Sequence, residues 1–244
     1  QAASIAVIGA IDGPTSIYVS SVLAPELLAP IAVTAYSYMS LVPIIQPPLM
    51  RLFTTKAERL IRMEYAPRPV PRSAVVAFPI VVTIVVGLLV PASAPLVATL
   101  MFGSLLKESG VVPQLTSTAS NELANLSTIF LGLTVGSLMQ AETFLQTQTL
   151  FILGLGLFAF ALDTVAGILF GKLLATVTRG KVNPLVGAAG ISAFPMSGRL
   201  VQRVAQEEDF TNHVLMHAMG ANTAGQLGSV IAGGVLLTLV TMLG

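Results

Sequence analysis

Long apolar runs, interrupted at a few polar points, organise this chain. Residues 74–90 carry no charge and are apolar on both faces of a would-be helix. Such a run suits lipid on all sides, whereas a soluble surface helix keeps one polar face. A full span needs about 20 such residues, and fewer where a helix is short or re-entrant. On that basis residues 2–23 read as a helix pair broken at Asp12-Gly13-Pro14. Residues 27–50 read as a span kinked by Pro43, Pro47 and Pro48, and 51–72 as a polar loop. Residues 73–90 cross, 91–95 turn, and 96–106 cross back, with Lys107 at the end. Residues 118–139 cross again and 148–174 return. Residues 183–195 form a Gly-rich interruption and 199–208 a polar stretch. Residues 210–243 are apolar, interrupted at Gly220-Ala221-Asn222-Thr223.

Composition fixes the class. The chain is 54% hydrophobic and 9% charged, against about 25% charged in soluble domains. Barrel strands alternate apolar and polar residues over about ten positions, and these runs are longer and do not alternate. The expectation is an all-α polytopic membrane protein. It is a transmembrane helix bundle with discontinuous helices and an inverted-repeat, transporter-like architecture, with residues 1–244 as a single integral membrane domain. A net charge of +1 offers nothing to nucleic acid, and the absence of Cys excludes disulfides and thiolate chemistry. His213 and His217 have an i, i+4 spacing but lack the Glu of a zinc-protease helix.

Basic residues set the orientation. The 51–72 loop holds Arg51, Lys56, Arg59, Arg62, Arg68 and Arg72. Counted by crossings, Lys107, Lys172, Arg179 and Lys181 fall on the same side. The opposite turns, 91–95 and 140–147, have no Lys or Arg, so the basic loops are expected in the cytoplasm.

Few polar side chains lie inside the apolar runs, and Asp12 leads them. A carboxylate in a span is costly unless it meets a cation, a partner or a water-filled cavity. Gly13 and Pro14 interrupt a helix there and free backbone carbonyls for an ion. Broken helices at an acid are how transporters build cation sites. The competing reading is a charged turn between short helices. Asn183, Ser192 and Asn222 sit at or near the later breaks and offer amide or hydroxyl oxygens. Tyr36 and Tyr38 are either proton-bearing hydroxyls or interfacial aromatics. Arg199 either clamps a carboxylate or snorkels to the interface. Asp163 is a second intramembrane acid, without an adjacent Gly or Pro, in a functional or a structural role. Gly187, Gly190, Gly220 and Gly225 allow tight turns or close helix approach. Asn121-Glu122 reads as the beginning of a helix.

Four stretches carry a family resemblance: Gly9 to Ile17, Ala35 to Pro48, Asn183 to Ala193, and Leu215 to Asn222. Together they resemble the β subunit of the sodium-pumping biotin-dependent decarboxylases of oxaloacetate, methylmalonyl-CoA and glutaconyl-CoA. The chain resembles the C-terminal part of that subunit, so an N-terminal half is expected to be absent. The resemblance implies that carboxybiotin, carried by a carboxyltransferase α subunit, is decarboxylated at the β subunit. It implies that this drives Na+ export from a prokaryotic inner membrane and consumes a proton. A small membrane γ subunit is implied as a further partner, with homo-oligomers within the complex. By the resemblance Asp12 is the sodium-binding carboxylate and Tyr38 handles the proton or ion. Asn183, Gly187, Ser192, Arg199 and Asn222 are polar or tight positions of the second break and last span. Arg199 would then meet the carboxybiotin carboxylate. Sodium would bind at Asp12, Asn183, Gly187, Ser192 and Asn222. Asp163 has no counterpart in the resemblance and stands as a separate candidate. The alternative for the whole chain is a sodium-coupled organic-anion secondary transporter, which broken helices and Arg199 fit equally.

Overall fold

The structure is a computed structural model that describes residues 1–64, 69–138, 141, 145–191 and 193–243. Arg68, Ser192 and part of the 140–147 turn lie outside the described residues. Among those described, the chain forms α1 (Ala2–Ala6), α2 (Gly13–Leu23), α3 (Leu28–Phe53), α4 (Lys56–Arg59) and α5 (Arg72–Leu89). It continues through α6 (Ala94–Ser109), α7 (Pro113–Thr118), α8 (Ala124–Leu138), α9 (Thr147–Val177), α10 (Met196–Glu208) and α11 (Leu215–Leu243). A 3-10 helix at Pro184–Gly190 stands in the second interruption. By length and composition Pro25–Phe53, Arg72–Leu89, Thr147–Val177 and Leu215–Leu243 can each cross a membrane. The protein is an all-α polytopic membrane protein.

The core is built on α9. Its buried positions, Thr149, Ile152, Gly156, Phe160, Thr164, Ile168 and Gly171, recur every three or four residues and form one inward stripe. α3 and the 184–190 helix pack on that stripe, and α10 and α11 close the other side. A Cβ at Gly171 would stand 2.6 Å from the Pro184 carbonyl oxygen, so 184–190 lies backbone to backbone against α9. α8 presents Leu126, Ile129, Phe130 and Leu133 outward, a surface for lipid rather than water.

The two ends of the bundle differ. At one end Arg51 pairs with Glu207, Arg59 with Glu208 (2.7 Å), Arg62 with Asp209 (2.6 Å) and Lys172 with Glu58 (3.2 Å). Arg72, whose guanidinium donates to the Ser109 carbonyl at 2.7 Å, opens the α5–α6 hairpin toward that end. The hairpin turn packs at the other end, where a Cβ on Gly234 would stand 2.7 Å from the Ser93 nitrogen. Lys and Arg thus gather at one end of the bundle.

α3 is one helix with Pro43, Pro47 and Pro48 inside it. Three sequence expectations change. α11 runs unbroken through Gly220–Thr223, because the Asn222 amide bonds across to another segment instead of competing for its own backbone. The helix read as starting near Asn121 starts at Pro113, a residue suited to a first turn. Asn121 and Glu122 then fall in a π-helical turn, Ala119–Leu123, between α7 and α8. The polar loop contains α4, which begins with a capping box between Thr55 and Glu58.

Candidate ion site

The first break lies between α1 and α2. Gly9 turns the chain at φ +89°, a conformation that costs glycine little, and a side chain there would strike the Gly156 carbonyl of α9. Gly13 and Pro14 do not break the helix as the sequence suggested; they begin it. Pro14 has no N–H to lose in a first turn, and Asp12 is the N-cap. The Asp12 carboxylate accepts from the Thr15 N–H at 2.8 Å and from the Thr15 hydroxyl at 2.8 Å. The Ser229 hydroxyl of α11 donates to it at 3.0 Å. Asp12 is 5% exposed, and no Lys or Arg among the described residues pairs with it. Three donors and a helix N-terminus therefore hold the charge in place, with free lone pairs on both carboxylate and hydroxyl oxygens.

The second break meets the first at this point. Gly9, Asp12, Tyr38, Met39, Phe160, Ile191 and Ala193 line a cavity of about 10 Å³, roughly the space of one water or one small ion. The Tyr38 hydroxyl donates to the Ile11 carbonyl at 3.1 Å. Its ring sits 6.0 Å from that of Phe160. The Asn222 amide donates to the Ile191 carbonyl at 2.7 Å, and its own oxygen is buried without a partner. Oxygen ligands, one carboxylate and no basic side chain suit a monovalent hard cation. Among the described residues no cluster of three His, Cys, Asp or Glu forms a transition-metal site.

The structure thus brings Asp12 and Tyr38 to one cavity, with Asn222 bonded to Ile191 of its wall. It puts Asn183 and Gly187 elsewhere. Pro184 packs at Gly171 of α9, eleven residues from Phe160, or about 16 Å along a helix. The Asn183 side chain is spent on backbone: its oxygen accepts from the Leu185 N–H at 3.0 Å, and its amide donates to the Arg59 and Ile61 carbonyls at 3.0 and 2.8 Å. A Cβ on Gly187 would stand 2.8 Å from the Gly167 carbonyl carbon, so this glycine is required by close packing. Neither residue lines the cavity. Arg199 lies exposed in the first turn of α10 with no acidic partner among the described residues. Asp163 is half-buried on α9, one turn beyond Phe160.

Four residues escaped the sequence reading: Thr15, Ser229, Gln46 and Asn212. Thr15 follows an N-cap by three, which is a recognisable signal. Ser229 sits between Gly225 and Gly233 in a small-residue stripe at helical spacing, another legible signal. Gln46 is completely buried and donates to the Ala188 carbonyl (2.8 Å) and the Ser197 hydroxyl (2.6 Å). Nothing local marks it, since its partners lie far along the chain.

At the basic end, Glu58 is pushed up by partial burial. Hydrogen bonds from Thr55 and Lys172 outweigh that and hold it below the usual carboxylate range. The Thr211 hydroxyl, the Arg62 guanidinium and the Thr211 N–H bring Asp209 down to about 2.

The family described as the Na+-transporting oxaloacetate decarboxylase beta subunit matches residues 1–240. The chain is 54% identical over 243 residues to a probable oxaloacetate decarboxylase beta chain of Pasteurella multocida, covering 100% of this chain and 56% of that one. It is 54% identical over 239 residues to the methylmalonyl-CoA decarboxylase subunit beta of Propionigenium modestum, covering 98% and 60%. To the oxaloacetate decarboxylase beta chain of Klebsiella pneumoniae it is 53% identical over 240 residues, covering 98% and 55%. The chain spans a little over half the length of these relatives.

Proposed function

We propose, from the premise that this chain belongs to the Na+-transporting oxaloacetate decarboxylase beta subunit family, that it couples decarboxylation of a partner's carboxybiotin to Na+ movement across a bacterial membrane. The observation that carries this is the buried Asp12 carboxylate, held by Thr15 and Ser229 and lacking a basic partner, where the two broken segments meet. Na+ is the cargo. It sits against Asp12, with the Thr15 and Ser229 hydroxyls and the Asn222 oxygen supplying further ligands, and Ser192 is kept as another. Two units of similar design, α1–α2–α3 and the 184–190 helix with α10 and α11, form the repeats around it. The basic end faces the cytoplasm.

In the reaction the bond between the biotin nitrogen and the carboxylate carbon breaks. The carbon leaves as CO2, and the nitrogen takes one proton. The exposed Arg199 guanidinium receives the carboxylate of the incoming group. Tyr38, bonded to the backbone of the Asp12 turn, links proton supply to the ion site. A biotin-carrying α subunit and a small γ subunit complete the complex.

Avidin separates this from a sodium-coupled anion transporter. Whole complex reconstituted in vesicles should decarboxylate its substrate faster with Na+, build a Na+ gradient, and lose both with avidin. Sodium flux coupled to a solute and indifferent to avidin would favour the transporter.

A further inference from the structure

Asn183 and Asn212 are far apart in sequence yet converge on the same two backbone carbonyls. Asn183 donates to the Arg59 and Ile61 carbonyls at 3.0 and 2.8 Å, and Asn212 donates to the same pair at 3.0 and 3.3 Å. Asn183 is fully buried and Asn212 is 1% exposed. α4 ends at Arg59, and the last carbonyls of a helix lack intrahelical partners. A carbonyl has two lone pairs and a side-chain amide two N–H groups, so the four bonds use both lone pairs of each carbonyl and both N–H groups of each asparagine.

Each asparagine also fixes one arm of the ion site. The Asn183 oxygen caps the 184–190 helix through the Leu185 N–H. The Asn212 carbonyl accepts from Gln202 of α10 at 3.0 Å, and the Gln202 oxygen accepts from the Val214 N–H at 2.8 Å, next to the start of α11. From this clasp the 184–190 helix runs along α9 to Ile191, and α11 runs to Asn222 and Ser229. Those residues line the cavity or bond Ile191 and Asp12. Both arms therefore take their register from one peptide segment, which α4 ties to α10 and α9 through the Arg59–Glu208 and Lys172–Glu58 pairs.

We propose that Asn183 and Asn212 act together as positioning residues, a paired clasp that sets the two arms of the ion site, and that Asn183 is not a sodium ligand. This rests on the reading of the site as a sodium-coupled decarboxylation centre. The Asn183→Asp variant separates the two roles. Aspartate keeps an oxygen for a cation and loses both donors, so a ligand role predicts retained or tighter sodium binding. The clasp predicts that N183D fails like N183A.

The test uses the whole complex, with steady-state decarboxylation and binding of radioactive sodium alone. N183D, N183A and N212A should each lower kcat roughly tenfold to a hundredfold, the cost of a misplaced reacting site. Sodium binding should weaken by a similar factor in all three, N183D included, because the arms that hold the ion shift, and the N183A/N212A double variant should be no slower than the worse single. Hydrogen exchange in the wild type gives a second readout should a variant not assemble. The Leu185 amide, bonded to the Asn183 oxygen, should exchange at one rate with and without Na+. Tighter sodium binding in N183D, a silent N212A, or a sodium-dependent Leu185 rate would overturn the clasp. A wild-type complex that binds no sodium would instead overturn the functional reading itself.

Discussion

Gly187→Ala is the sharpest packing test of how the ion site is built. The new methyl would stand 2.8 Å from the Gly167 carbonyl carbon and 3.1 Å from the Gly171 nitrogen, and closer still to the Gly167 oxygen. Relaxed carbon contacts need about 3.5–4.0 Å, so the segment must move by about 1 Å. Neither side yields easily, because these neighbours are all backbone of α9. Forcing extra volume into a tight contact costs about 1–3 kcal/mol. Since 184–190 leads directly to Ile191 at the cavity wall, a shift of this size should also slow turnover up to about a hundredfold. Gly190→Ala is the control, because a Cβ there meets nothing within 4 Å. The assay pairs the thermal midpoint of the assembled complex with its sodium-dependent decarboxylation rate. G187A should lose both and G190A neither. Equal behaviour of the two variants would refute the claim that backbone contact with α9 sets the site.

Ser229→Ala removes one donor from the Asp12 carboxylate. A hydrogen bond to a charged group is worth about 1.5–3 kcal/mol, and the hydroxyl is also an ion ligand, so the sodium concentration for half-maximal rate should rise at least about tenfold. Arg59→Ala takes away a partly buried guanidinium that bonds Glu208 at 2.8 Å and the Thr54 carbonyl at 2.5 Å. It should lower stability by about 2–3 kcal/mol, read as a lower midpoint in chemical denaturation. Asp209, held down at about 2, binds protons more weakly folded than unfolded, where about 3.9 is usual. Its stabilising effect is complete above the unfolded value and is lost as pH falls through about 2. Asp209→Asn should abolish that acid-limb dependence in a pH series of unfolding midpoints.

The helical class and the two breaks were legible because charge is scarce and apolar runs match the thickness of a membrane. Asp12 stood out for the same reason. The local meaning of Gly13-Pro14 was not legible, since a Pro that ends one helix and a Pro that starts another look alike in sequence. Gly9 supplies the actual turn, and its role appears only once α9 lies against it. In the sequence Asn183 reads as an oxygen donor beside a break. The structure shows it turned toward the Arg59 and Ile61 carbonyls, contacts made across more than a hundred residues and invisible to local pattern. The break read at 220–223 failed because one Gly costs a helix only about 1 kcal/mol, and the Asn222 amide bonds Ile191 rather than its own backbone.

Sodium-dependent carboxybiotin decarboxylation by the whole complex, wild type against Asp12→Asn, tests the central claim most directly. Asparagine keeps the shape and an acceptor for the Thr15 N–H, so folding should change little. It removes the charge. A unit charge about 4 Å from a cation is worth about 4 kcal/mol at an effective dielectric near 20, or about a thousandfold in sodium affinity. The account predicts that D12N assembles normally and loses sodium-stimulated decarboxylation throughout the working range of sodium. A D12N complex with unaltered sodium dependence would contradict it.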